Sequence, residues 1–176
     1  TNQKTNNVSV IDLGTNQVVD TLNTGFVPDQ MVIDNDNRRL FVTHHASPHV
    51  AVIDLRDQSL EDKIQLKSPT HAIAFDAKRG LIHATYLPES GVTGIGHTNM
   101  VEIIDSATKQ NIANFEIDAN PFTIDIDSDG ERLYATIIKD GTVIAVDLSS
   151  NEIYQTIVEQ AVEAPSTEAS GGGCII

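Results

Sequence analysis

The chain is poor in basic residues, in leucine and in cysteine, and each shortage narrows what it can be. Lysine and arginine total 11 of 176 residues against 25 aspartates and glutamates, a formal net charge of −14. Such a field repels phosphate backbones and anionic lipid headgroups, so nucleic-acid binding by counterion release is disfavoured. A single cysteine, Cys174, excludes an internal disulfide. No run of 18 apolar residues is present to build a membrane-spanning helix. Leucine occurs 10 times against 20 isoleucines and 15 valines, and a chain so rich in β-branched side chains suits a pleated surface better than a helix. The acids divide into 16 Asp and 9 Glu, which favours turns over helices. Short catalytic signatures are missing too: there is no Gly-x-Ser-x-Gly elbow, no His-Glu-x-x-His pair and no Cys-x-x-Cys-His haem site. Gly91-Val-Thr-Gly-Ile-Gly-His97 has the wrong spacing for a dinucleotide fingerprint and lacks the strand and helix that one needs.

What is present is a repeat. An apolar run ending in Asp occurs at Val8–Asp12, Val50–Asp54, Val101–Asp105 and Val143–Asp147, with the aspartates spaced 42, 51 and 42 apart. Fifteen or sixteen residues after each of the first three comes a proline, Pro28, Pro69 and Pro121, and at the same distance again a threonine closes a second run, at Thr43, Thr85 and Thr136. Three registers agree on a period near 42, and four short apolar segments per period separated by turn residues are the pattern of a propeller blade. Each unit reads as an inner strand after the proline, a polar turn, a second strand ending at the threonine, a loop, the Asp-terminated third strand, a turn and a fourth strand. Proline at the head of a strand sits where no ladder donor is needed. Strands apolar on both faces are expected because each blade lies between two others. The terminal Asp of each third strand is placed to accept backbone N–H bonds in the turn that follows.

These blocks resemble the YVTN-type β-propeller repeat of bacterial surface and periplasmic proteins. Thr1-Asn2, Asn7-Val-Ser-Val-Ile-Asp12, Thr15-Asn16, Val18-Val19 and Phe41-Val-Thr43 carry the likeness, while His44 stands where the motif has Asn and Tyr86 and Ile137 depart further. The expected fold is all-β: a β-propeller fragment of about three and a half four-stranded antiparallel blades from a seven-bladed ring, which at this period needs about 294 residues. Residues 1–24 supply an outer half-blade, residues 28–66, 69–117 and 121–158 three whole blades, and residues 159–176 a flexible linker with a Gly-rich, Cys-containing tail. Thr1-Asn2 matches the end of a second strand, so the chain is expected to begin inside a blade, with any leader upstream.

Candidate sites follow from the topology. The loop between second and third strands and the crossover between blades emerge at one end of the ring. His44, His45 and His49 fall in the first such loop, His97 in the same loop one blade on, and His71 just after Pro69 at the channel mouth. Neutral imidazoles converging there can bind a transition metal or do acid–base work, whereas a loop histidine standing alone is merely solvated. No metal site and no cofactor is assigned. His83 lies inside a strand and reads as a core residue. Asp125-Ile-Asp-Ser-Asp-Gly130 mimics half a calcium loop, but Thr136 occupies the position that needs Glu, and a hairpin turn is expected instead. The third unit carries nine extra residues in the loop 86–100, either a binding insertion or a tolerated one.

The resemblance implies an exported bacterial protein, periplasmic or at the cell surface, whose propeller serves as a non-catalytic binding or scaffold module for a protein or small-molecule ligand. It equally allows part of an enzyme, since similar repeats serve in quinoprotein dehydrogenases, haem-containing nitrite reductases, lactonases and a lyase. Exposed blade edges are expected to self-associate.

Overall fold

A computed structural model describes residues 1–86, 99–117, 121–137 and 141–158, which form fourteen strands in four antiparallel sheets. The first sheet has two strands, β1 (Asn7–Asp12) and β2 (Gln17–Asn23). The second runs β3 (Pro28–Asp34), β4 (Arg39–His44), β5 (His49–Asp54) and β6 (Ser59–Gln65). The third comprises β7 (Thr70–Asp76), β8 (Leu81–Tyr86), β9 (Asn99–Asp105) and β10 (Asn111–Ile117), and the fourth β11 (Pro121–Ile126), β12 (Arg132–Ile137), β13 (Thr142–Asp147) and β14 (Glu152–Val158). Each sheet is a simple meander, and the leading strands β3, β7 and β11 lie side by side, as the inner strands of a propeller do. The expected tail, 159–176, lies outside the described residues.

The repeating residues have local reasons. In every four-stranded sheet the inner strand slips register near its start, between Pro28 and Met31, Thr70 and Ile73, and Pro121 and Thr123. A slip strands a backbone N–H, and the repeat threonine accepts it: Gln30 donates to Thr43 Oγ1 at 3.0 Å, Ala72 to Thr85 Oγ1 at 3.2 Å and Thr123 to Thr136 Oγ1 at 3.2 Å. The repeat aspartates cap the next turn. Asp12 Oδ1 accepts from Thr15 N and Oγ1, Asp105 Oδ1 from Ala107 N, Thr108 N and Thr108 Oγ1, and Asp147 Oδ1 from Ser149 and Ser150. These donors hold the carboxyls below the usual range, led by the Thr15 hydroxyl for Asp12 and the Thr108 N–H for Asp105. Four residues past each aspartate the chain turns left-handed, at Asn16, Gln58, Lys109 and Asn151. Asp127–Gly130 is the expected turn, with Asp127 Oδ1 accepting from Glu131 N.

The core lies between sheets. Val8 and Leu22 pack on Leu40, Val42, Ala51 and Ile53, joining the first sheet to the second. Phe41, Val52, Ile64 and Leu66 meet Ile73, Ile82, Ala84 and Ile104 across the second interface. Ala74, Ile103, Phe115 and Ile117 meet Ile124, Leu133, Ile137 and Ile144 across the third. Charged groups stitch the same boundaries: Lys109 Nζ reaches Glu61 and Asp62 at 3.0 and 2.9 Å, Lys78 Nζ the Asp129 carbonyl at 3.1 Å, and Arg79 donates to the Gly130 carbonyl.

Apolarity on both faces holds for the middle strands β4 and β5 of the second sheet; the outer strands β6 and β10 are largely exposed, and the fourth sheet departs from it. In the second sheet one cross-strand row reads Val32–Phe41–Val52, whereas the same row of the fourth reads Asp125–Tyr134–Ala145. That face is turned away from the third sheet, and its chemistry suits water or a polar neighbour rather than another apolar blade.

Candidate functional site

One end of the sheets gathers the segments 24–28, 44–49 and 66–70, the ends of β8 and β10, and the starts of β9 and β11. The sequence places five histidines here, and the structure treats them differently. His97 lies outside the described residues, together with the rest of the segment 87–98. His71 is the second residue of β7, at the mouth end of an inner strand. His45 is exposed in the tight connection between β4 and β5.

His44 and His49 come together. His44 and His49 are not in the loop, as the sequence suggested: His49 is the first residue of β5, and His44 is the last residue of β4 and wholly buried. Strand alternation explains it: Leu40 and Val42 face the first sheet, and the same period of two carries His44 to that buried side. The register Arg39↔Asp54 through Val42↔Ala51, continued along both strands, sets His44 opposite His49. Their rings lie 4.5 Å apart at 30°.

His44 Nδ1 lies 3.3 Å from the His49 carbonyl oxygen, and Nε2 lies 3.1 Å from that of Thr24, in the crossover from the first sheet. The ring thus ties β2's exit to the second sheet. Both partners are acceptors, and a neutral imidazole has one N–H to give them. His49 Nδ1 sits 2.7 Å from Ser47 Oγ, while its Nε2 is buried without a hydrogen-bond partner. Thr24 Oγ1, in a residue 1% exposed, is also buried and unpartnered. Both Nε2 atoms border Gly25, whose φ is +126° and where a Cβ would stand 3.0 Å from His44 Nε2 and 3.6 Å from His49 Nε2. Only glycine fits there. Burial holds both imidazoles below the ordinary histidine range, and for His49 the His44 and Lys63 charges add to it.

The same end of the sheets carries exposed aromatic side chains. Phe26, just before β3, is 66% exposed and Phe122, second in β11, is 51% exposed, although the chain has five phenylalanines in all. They stand at the heads of the first and third inner strands, with β7 between them.

Two further buried titratable groups lie in the third sheet, on opposite faces, and of these the sequence marked His83 alone. His83 of β8 is a core residue, as its strand position implied, with both ring nitrogens buried and unpartnered. Burial pulls its pKa down to about 4, with Asp76 opposing and Arg79 assisting. Glu102 of β9 is 1% exposed with Oε1 unpartnered, and burial raises its pKa against the Lys67 N–H and charge. Glu102 pairs with Ala84 and so faces the second sheet, whereas His83 pairs with Ile103 and faces the fourth. Its place in Val101-Glu-Ile-Ile-Asp105, where Val50-Ala-Val-Ile-Asp54 has alanine, is the signal that marks Glu102.

No protein-family model matches the chain, and no curated protein matches it. Solved structures do. A chain of Kuenenia stuttgartiensis hydrazine synthase aligns over 90% of this sequence with a TM-score of 0.74 at 18% identity. The sequence spans 44% of that chain's length. At this identity the likeness establishes the fold, four-stranded antiparallel sheets in a β-propeller arrangement.

Proposed function

We propose that the chain is a non-catalytic binding module of a β-propeller, taking a protein or small-molecule ligand at the loop end of its blades. The observation that carries this reading is the pair Phe26 and Phe122, large aromatic side chains left exposed on the end where the connections emerge. Exposed aromatics on a rigid frame are the common anchors of recognition surfaces. The YVTN-type likeness of the repeat supports an exported bacterial protein, periplasmic or at the cell surface. Against a catalytic use of His44 stands its burial, with both ring nitrogens set against backbone carbonyls.

The reading is tested by capture. Immobilised chain is exposed to the cell-envelope fraction of its source organism, beside a Phe26→Ala, Phe122→Ala double variant and a variant lacking residues 88–96. A partner retained by the parent and lost from the double variant is the expected result, with unchanged circular dichroism. Loss on deleting 88–96 alone assigns that segment a share of the contact. Equal capture by all three proteins removes this end as the binding surface.

A further inference from the structure

We propose that His44 and His49, with Thr24, form a binding site for a divalent transition-metal cation of the copper, nickel and zinc group. The donors are His44 Nε2 and the Thr24 carbonyl oxygen, 3.1 Å apart, with His49 Nε2 beside His44 Nε2 at Gly25 and the buried Thr24 Oγ1 on the same residue as the carbonyl. This site stands on its own geometry and does not depend on partner binding at the loop end.

Three observations converge on it. The first is the contact of His44 Nε2 with the Thr24 carbonyl oxygen at 3.1 Å. Both ring nitrogens face carbonyl oxygens and a neutral ring donates to only one of them; in the tautomer that keeps the proton on Nδ1, the Nε2 lone pair faces the Thr24 oxygen, a repulsion that a cation between them removes. Metal–nitrogen and metal–oxygen bonds of about 2.0–2.1 Å spanning that gap enclose an angle of about 100°, close to the tetrahedral or square arrangements such ions adopt. The second is the state of His49. Ser47 Oγ, 2.7 Å from Nδ1, can accept its proton and leave the Nε2 lone pair free, the outer-shell arrangement of metal-binding histidines. That Nε2 is buried and unpartnered, as is Thr24 Oγ1, and a buried polar atom without a partner destabilises the fold until something satisfies it. The third is the space. Gly25 has no side chain at a point 3.0 Å from one Nε2 and 3.6 Å from the other, and its left-handed backbone keeps one out.

Charge and donor type select the ion. Two imidazoles and two neutral oxygens suit borderline cations and not calcium or magnesium, and the usual affinity order puts Cu²⁺ first. Lys63 is the charged group that acts on both rings, and it opposes a cation. His45 adjoins in sequence but lies on the exposed side of β4's end.

Cu²⁺ added at one equivalent to the full chain at pH 7.5 is the probe, read by electron paramagnetic resonance with spin-echo modulation from remote imidazole nitrogens. Two equatorial imidazoles are expected. His49→Gln should reduce the signal to one imidazole and weaken binding more than about tenfold, and Ser47→Ala should weaken it about tenfold with the fold intact, in the range that outer-shell partners carry. Lys63→Gln should tighten it. A one-imidazole signal in the parent, or loss of binding on His45→Gln or Cys174→Ser in place of His49→Gln, overturns the site. So does a nitrogen-15 spectrum showing His44 protonated at both nitrogens at pH 7.5 with no change on adding Cu²⁺, since a proton would then occupy the gap.

Discussion

Replacing Phe41 with alanine is expected to lower the stability of the folded chain by about 4 kcal/mol, the usual cost of truncating a buried aromatic. The ring is fully buried on the face of β4 that meets the third sheet, 5.9 Å from Phe75 and among Val52, Ile64, Ile73, Ile82 and Ile104. Those neighbours come from two sheets. Truncation therefore removes apolar area and also opens a void between blades that neither backbone can collapse into, because each is held by its own hydrogen-bond ladder. Urea unfolding followed by circular dichroism should show the midpoint fall sharply. Phe26→Ala, at an exposed phenylalanine, should move it little. A Phe41→Ala loss below about 1 kcal/mol would mean that the two sheets do not share a core.

Acid should be the second large effect, and His83 its main cause. The folded state holds His83 neutral down to about pH 4, while the unfolded chain takes up a proton near the ordinary histidine value of 6.5. A histidine with a depressed folded pKa favours the folded state above the unfolded value and loses that contribution as pH falls through the window between the two. The full loss amounts to about 3 kcal/mol, from about 1.4 kcal/mol per unit. His83→Leu, which fills the space without ring nitrogens, should flatten the fall in stability between pH 6.5 and 4. Glu102 acts with the opposite sign: its raised folded pKa favours the folded state at low pH, and that contribution fades as pH rises through the folded value. Glu102→Gln should consequently leave the acid limb in place and improve stability at neutral pH. Chemical denaturation at half-unit pH steps separates the two, and an acid limb unchanged in His83→Leu would clear His83 of the effect.

Much of this architecture is written in single residues. The threonines at 43, 85 and 136 recur because each accepts the N–H that its inner strand's slip would leave unpaired, and the aspartates at 12, 105 and 147 recur because each caps a left-handed turn. Such local duties repeat with the period, so a period reveals them. The His44–His49 pairing belongs to another class. Its ingredients are cross-strand register, the parity of β4 and a carbonyl delivered by Thr24 from the preceding sheet, and the last of these is a contact twenty residues away in the chain. Parity alone could have moved His44 from loop to interface, since it shares the side of Leu40 and Val42. The polar outer face of the fourth sheet was hidden for a related reason: Asp125 and Tyr134 stand out only once the rows that align them with Val32 and Phe41 are known.

These sheets stack as blades, with shared cores between neighbours, and so form a stiff frame for the loop end. A methyl–methyl nuclear Overhauser spectrum of chain labelled at isoleucine, leucine and valine tests this stacking. Cross-peaks are expected to link methyls of Ile64 and Leu66 to those of Ile73, Ile82 or Ile104, and of Ile103 and Ile117 to those of Ile124, Leu133 or Ile144. A spectrum in which methyls connect only within their own sheets would mean that the blades share no core.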